Sequence, residues 1–313
     1  MIHGVYICTK NREEDVLRLL HTVSRNFLEG SSLRILIGDS TEPIERFDKF
    51  GERIQLEFPK MNIEHFYHLG GLPSARNACL EKLLNEDLVH FFDDDVTIPD
   101  SYFSSIESFM LNHPDCSGGG PRIADLYSNE LSENYAPLRR LLGLTKKYGE
   151  ITSAGRHYWV PDIEGPSLEV AWIPGCSMFY KTEVFRENRF NGSMENGPGK
   201  NYALGEDLEF SHRVSKVFKL RSVGNVTVTH HQAPSKRDNW PLIARASGAQ
   251  YAYLLRRFPA ELNPYKIHFG RFIDFIIMNR PLRVLGLKEA LNLYFGYYKE
   301  FRRERREQLI KFR

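Results

Sequence analysis

With 313 residues, 42% hydrophobic and 26% charged, the chain is long enough to bury a full α/β core and has an ordinary globular composition. A net charge of +2 argues against bulk nucleic-acid binding, and no apolar run approaches the roughly 20 residues of a membrane span. Cys8, Cys79, Cys116 and Cys176 are far apart with no Cys-x-x-Cys pair, which argues against a disulfide framework or zinc site and for reduced thiols in a cytoplasmic protein. The charge is uneven. Residues 251–313 carry 14 Lys/Arg against 6 Asp/Glu, net +8, while the first 250 carry 28 against 34, net −6. An acidic body with a basic C-terminal appendage is the expected organisation.

Met1-Ile2-His3-Gly4-Val5 enters a strand at once and does not read as a signal peptide. Residues 4–8 read as a buried strand, followed by the polar turn Thr9-Lys10-Asn11-Arg12. Glu13 to Phe27 reads as a helix, with Val16, Leu19, Leu20 and Val23 at helical spacing. Leu33 to Ile37 is a second strand ending in Gly38-Asp39-Ser40, and a weaker strand falls at Ile63–Tyr67. Gly70-Gly71-Leu72-Pro73 is a turn, with Ser74 as cap of a helix from Ala75 to Leu84. A strand at 88–92 and a helix from about Ser101 to Leu111 follow. Residues 117–170 lose periodicity after Gly118-Gly119-Gly120-Pro121 and read as an insertion over the sheet edge. Strands are expected at Glu169–Ile173 and Met178–Tyr180. Residues 186–205, rich in Asn and Gly, read as a mobile loop. A helix follows from Glu206 to Val217, then a strand from Leu220 to Thr229.

Strands alternating with helices imply a parallel, doubly wound sheet, in which ligands bind beyond the carboxyl ends of the strands. The polar residues Thr9 to Arg12, Asp39 and Asp93 to Asp95 all fall at such ends. Three carboxylates at one strand end repel one another, and a divalent cation with hard oxygen ligands, Mg2+ or Mn2+, is the usual remedy. The plain alternative is a solvated acidic turn before Pro99. Glu206 and Asp207 likewise have a plain reading, as acids favoured by the N-terminal end of a helix dipole. His230-His231 closes the last strand.

Taken in order, these motifs resemble family 2 glycosyltransferases of GT-A fold, over about residues 1–235. The resemblance rests on Thr9-Lys10-Asn11-Arg12, Asp39, Ser74-Ala75-Arg76-Asn77, the DxD motif Asp93-Asp94-Asp95, Trp172-Ile173-Pro174-Gly175-Cys176-Ser177-Met178, Gly205-Glu206-Asp207 with Arg213, and His230. It implies an α/β fold, Rossmann-like, with a mixed central sheet flanked by helices and a helical C-terminal extension. It also implies an inverting, metal-assisted transfer of sugar from a nucleotide-diphosphate sugar, UDP or dTDP favoured, to a glycan or lipid-linked glycan. Asp95 with His230, or His231 in its place, is expected to hold Mn2+ or Mg2+, and Asp93 to lie near the cation or the ribose. Thr9, Asn11, Arg12, Asp39, Arg76, Asp93 and Asp94 are expected around the nucleotide sugar, and Trp172 and Gly175 on the acceptor side. Asp207 fills the place of the general base, with Glu206 orienting acceptor or donor. The loop before Glu206 is placed to close over bound donor.

Asp93-Asp94-Asp95-Val96-Thr97 also fits the D-x-D-x-T pattern of haloacid-dehalogenase-like phosphatases. That motif belongs on a first strand, and the pattern leaves Asp39, Arg76 and Glu206-Asp207 unexplained. A nucleotide-sugar-binding module without turnover is the other alternative.

Beyond the catalytic domain at 1–235, residues 236–313 read as a helical extension. One helix spans Asn239–Arg257 and stops at Phe258-Pro259, an apolar stretch covers Phe269–Met278, and a long helix runs from Lys288 to Phe312. Leu291, Tyr294, Phe295, Tyr298 and Phe301 form a stripe, followed by Arg302-Arg303-Glu304-Arg305-Arg306. Two readings stand: packing on the chain's own core or on a second subunit of a homodimer, or contact of 288–313 with the anionic inner face of a membrane.

Overall fold

The computed structural model describes residues 1–26, 33–124, 147–161, 165–195, 204–231, 239–273 and 287–310. Two compact units form. One comprises Met1–Ser128, Trp159–Gly192 and Glu206–Ala233, the other Asn129–Tyr158, Ser193–Gly205 and Pro234–Arg313.

In the first unit, apolar runs alternate with amphipathic stretches. They build β1 (His3–Thr9), α1 (Glu13–Arg25), β2 (Leu33–Asp39), α2 (Ile44–Glu57), β3 (Asn62–Tyr67), α3 (Leu72–Glu81), β4 (Leu88–Asp93) and β5 (Val96–Thr97). There follow α4 (Tyr102–Asn112), β6 (Cys116–Ile123), β7 (Ser177–Lys181), α5 (Glu206–Val214) and β8 (Lys219–His230). The sheet order is β3-β2-β1-β4-β7-β6-β8-β5. β1 runs parallel to β2 and β4, and β2 to β3, so Thr9 pairs with Asp39, Cys8 with Asp93, and Asp39 with Tyr67. The carboxyl ends of these strands therefore align. Because the strands are covered on both faces, Val5, Ile7, Ile35 and Ile37 are fully buried. α1 packs Val16, Leu19, Leu20 and Val23 inward, as their spacing predicts.

The sheet departs from an all-parallel one at β7, which runs antiparallel to both β4 and β6. This is a mixed α/β sheet. Several local expectations are corrected. Gly118-Gly119-Gly120-Pro121 lies inside β6, buried along its whole length, rather than opening an insertion. A Cβ on these glycines would meet Tyr180, the Arg221 carbonyl and Ile173, so the run is glycine for close packing. Residues 169–173 form no strand; Glu169 makes a single bridge to Arg221. α3 starts at Leu72 with Gly71 at its N-cap, and Ser74 sits inside the first turn with its Oγ 2.9 Å from His68 Nε2. α2 carries too few inward residues, Phe50 and Ile54, to announce itself by periodicity. Phe27, residues 125–146 of the expected insertion, residues 196–203 of the Asn/Gly loop, the stretch 274–278 and residues 311–313 lie outside the described residues.

The second unit is built on α6 (Trp240–Arg257), α7 (Pro264–Ile273) and α8 (Leu287–Ile310). The Asn239 side chain caps α6 by accepting from Leu242 N at 3.1 Å. Small residues on α6, Ala244, Ser247 and Gly248, let α8 lie close, with Ala290, Leu293, Tyr297 and Phe301 turned inward. The stripe on this helix is thus split. Phe301 belongs to the helix packing, whereas Phe295 and Tyr298 are exposed. Among the described residues no helix is long and apolar enough to cross a membrane, and all four cysteines are free.

Candidate active site

The turn after β4 directs its three acids to different partners. Asp94 points into the protein, where Thr9 Oγ1 and Arg12 Nη1 each donate to it at 2.8 Å. Burial raises its carboxyl to about 6 even though Arg12 and Thr9 pull it down. Asp95 is also buried. Its Oδ1 lies 3.0 Å from His230 Nε2, and its Oδ2 3.6 Å from Arg12 Nη1. The register that brings His230 there is set by β8, whose His230 and Thr229 pair antiparallel with Val96 and Thr97. His231 turns away, with Nε2 3.1 Å from Thr97 Oγ1. Asp93, half-buried, faces Arg76, with Oδ1 3.4 Å from Nη2.

One donor atom each from Asp93, Asp95 and His230 lie within 4.8 Å of one another. Two carboxylate oxygens and one imidazole nitrogen suit Mn2+ and, with more water, Mg2+. Burial and the neighbouring Asp95 raise the Asp93 carboxyl, against the pull of Arg76 and His230, so the cluster gains from an added positive charge.

Arg76 joins this wall to a second one. It is 2% exposed, yet its guanidinium reaches Asp93, Glu206 Oε1 at 3.0 Å and the Gly175 carbonyl at 3.0 Å. Phe190 lies 5.2 Å from the guanidinium carbon. Asn77, next in sequence, donates to Phe190 O at 2.8 Å and accepts from Phe190 N at 2.9 Å, which fixes that platform. Burial, with Asp207 adding to it, pushes the Glu206 carboxyl up to about 7, although Arg76 opposes the shift.

Glu206 and Asp207 open α5, which the chain enters through Gly205 at φ +77. Asp207 is half-exposed. Its Oδ2 accepts from Gly175 N at 2.7 Å and its Oδ1 from Leu208 N at 2.7 Å. One turn on, Ser211 accepts from Ile173 N at 3.0 Å, and His212 lies 3.1 Å from the Ala171 carbonyl. The segment 171–175 is thus fastened along one face of the helix. A Cβ at Gly175 would lie 2.9 Å from Asp207 Cβ and 3.0 Å from Arg76 Nη2, so only glycine fits between them. Trp172 is buried behind, its ring edge-on to Trp159 at 5.7 Å. Arg213 pairs with Glu209 and donates to the Arg189 carbonyl, so it serves the 188–190 segment rather than this cluster.

Asp39 and Asn11 stand at the edge. Asp39 is 0% exposed, with Oδ1 accepting from Thr41 N at 2.7 Å and Oδ2 3.0 Å from His65 Nε2. Asn11 takes φ 56, a conformation Asn tolerates, and its N–H donates to Thr41 Oγ1 at 2.8 Å. The structure thus brings Thr9, Arg12, Asp93, Asp94, Asp95, Arg76, Gly175, Glu206, Asp207 and His230 into one chain of contacts. Two participants carried no sequence signal: His65 and Phe190. Asn77 stands in the Ser74-Ala75-Arg76-Asn77 motif, but its partner Phe190 lies 113 residues away.

The family model for glycosyl transferase family 2 matches residues 4–162. No curated protein sequence matches the chain. Among solved structures, GalNAc-T7 with UDP, GalNAc and Mn2+ superposes with a TM-score of 0.59 at 14% identity, over 96% of this chain and 55% of that one. The mannosyltransferase PcManGT from Pyrobaculum calidifontis, in complex with GDP-Man and Mn2+, gives 0.51 at 12% identity, over 96% and 86%. TarS residues 1–349 from S. aureus gives 0.50 at 14% identity, over 97% and 89%. At such identities these structures show the fold, which is GT-A. The phosphatase reading of the acidic triplet falls with the family match. The chain belongs to glycosyl transferase family 2 and is a glycosyltransferase.

Proposed function

We propose that the chain transfers a sugar from a nucleotide-diphosphate sugar to a hydroxyl of a glycan or lipid-linked glycan, with inversion at the anomeric carbon. The observation that carries this reading is the chain of contacts from Asp95 and His230, through Asp93 and Arg76, to Gly175 and Asp207. It joins a cation-ready strand end to a half-exposed carboxylate on a helix N-terminus. Residues 1–235 supply every group named, and 236–313 are an appended helical region.

In a direct displacement the acceptor oxygen bonds to the anomeric carbon as the bond to the diphosphate oxygen breaks. Asp207 takes the hydroxyl proton. Gly175 N and Leu208 N hold both its oxygens in place, so its orientation is set before substrate arrives. A divalent cation held by Asp93, Asp95 and His230 would neutralise the charge that builds on the leaving diphosphate. Arg76 keeps Asp93 and the 175 carbonyl in register with Glu206, and Glu206 acts through Arg76 as a positioning residue. Thr9 and Arg12 hold Asp94, which fixes the turn that aims Asp93 and Asp95. Trp172 backs the 171–175 segment on the acceptor side. A pyrimidine nucleotide, UDP or dTDP, is favoured because the Asp39 carboxylate can accept a uracil or thymine N–H in exchange for the Thr41 or His65 donor that it holds in this structure.

The test is the anomeric configuration of the product, read by NMR with a turned-over donor. Inversion is expected. A product that keeps the donor's configuration would overturn both the displacement and the role of Asp207.

A further inference from the structure

We propose that the outer face of α7 and α8 is a docking surface for an anionic phospholipid bilayer. This goes beyond the transfer reaction and does not depend on it. On α8, Phe295, Tyr298, Arg302 and Arg305 recur at helical spacing as an exposed stripe that borders the inward residues Leu293, Tyr297 and Phe301. On α7, Tyr265 and Phe269 lie one turn apart, opposite the buried Ile267 and Gly270. Tyr265 is 83% exposed, Phe295 60%, Phe269 45% and Tyr298 37%. Four large exposed rings on two adjacent helices are more than scattered surface apolarity.

The basic end of this face is shaped. A cavity of about 370 Å3 is lined by Tyr265, His268, Tyr298, Arg302, Arg305 and Arg306, with Pro264 and Phe301 completing it. Among the described residues no acidic side chain lines it, and no carboxylate pairs with Arg302, Arg305 or Arg306. Neighbouring Arg303, by contrast, is engaged by Glu300 and Glu304. Arg302 lies over the Tyr298 ring at 5.9 Å, and the three exposed guanidiniums make this end of the face attractive to anions.

A soluble phosphate or nucleotide would satisfy the arginines but gives no reason for the exposed rings beside them. A second copy of the same face brings rings but no carboxylates to neutralise the arginines. A membrane surface supplies both: phosphate-bearing headgroups for Arg302, Arg305 and Arg306, and an interfacial layer for Tyr265, Phe269, Phe295 and Tyr298. With no described helix able to span a bilayer, the contact is one of surface adsorption.

The test is flotation of the full chain with vesicles of phosphatidylcholine, alone or with phosphatidylglycerol. Binding is expected only to the mixed vesicles, weakening as salt rises. Arg302→Gln/Arg305→Gln/Arg306→Gln should weaken it about 100-fold. Tyr265→Ser/Phe295→Ser should also weaken it, by at least about 10-fold. Both variants should keep the wild-type melting temperature and the donor-induced thermal shift, so loss of vesicle binding is distinct from failure of the catalytic reading. Equal binding to neutral vesicles, or full binding by the arginine variant, would overturn the proposal. So would inorganic phosphate displacing the protein while the aromatic variant binds normally, which marks a soluble-anion pocket. So would the absence of vesicle binding together with a dimer that Tyr265→Ser/Phe295→Ser dissociates, which marks a second copy as the occupant.

Discussion

The strand-end acids and the helix-end acids are held by different means. Asp93, Asp94 and Asp95 are met by side chains: Arg76, Thr9, Arg12 and His230. Asp207 is met by backbone N–H groups, from Gly175 and Leu208. Side-chain partners can be exchanged when a cation or phosphate arrives. Backbone partners cannot, and they fix a carboxylate whose aim must not drift. Substitutions on the first wall should therefore change binding and stability, and substitutions at Asp207 should change turnover.

The largest contrast is expected at Asp207. Asp207→Asn keeps the shape and should cut turnover by about 1,000-fold or more while donor affinity stays near wild type, measured by steady-state kinetics and calorimetry. Near-normal turnover would remove the distinction between the walls. Arg76→Met comes next. It leaves Glu206 and Asp93 without their buried counter-charge, and denaturant melts should show a loss of about 3–5 kcal/mol. A loss under about 1 kcal/mol would mean that Arg76 is not the link between the walls.

Glu206 sharpens the comparison through pH. Its folded carboxyl sits near 7 against an ordinary 4.5, so the folded state binds more protons than the unfolded state between those values. Stability should therefore fall as pH rises from 4.5 to 7, by an amount on the order of 2 kcal/mol from this group. Glu206→Gln should flatten that part of the curve, read as melting temperature against pH; an unchanged slope would contradict the assignment. The smallest effect belongs to the Asp94 knot. Thr9→Val removes one hydrogen bond to a buried carboxylate and should cost about 1 kcal/mol, with turnover lowered only through the turn.

Much of this was readable from sequence because it is local. Buried runs ending in Thr9, Asp39 and Asp93 announce strand ends, and parallel pairing then aligns those ends whatever the details. Asp207 announces a helix start in the same way. What stayed hidden depends on distance. Nothing in the sequence pairs Arg76 with Glu206, or Asp39 with His65, since each pair forms only when separate elements pack. β6 escaped because its glycines look like a turn, and their reason is packing against Tyr180, Arg221 and Ile173 from neighbouring segments. The stripe on α8 reads as one feature in the sequence, but helix packing buries Phe301, half-covers Leu291 and Tyr294 and leaves Phe295 and Tyr298 exposed.

The claim at the centre is that Asp93, Asp95 and His230 form a cation-dependent donor site. A thermal-shift panel of nucleotide sugars, with and without Mn2+, on wild type and Asp95→Ala tests it most directly. Stabilisation by one donor class, present only with Mn2+ and absent in Asp95→Ala, is the predicted result. Stabilisation that ignores Mn2+, or that survives in Asp95→Ala, would contradict it.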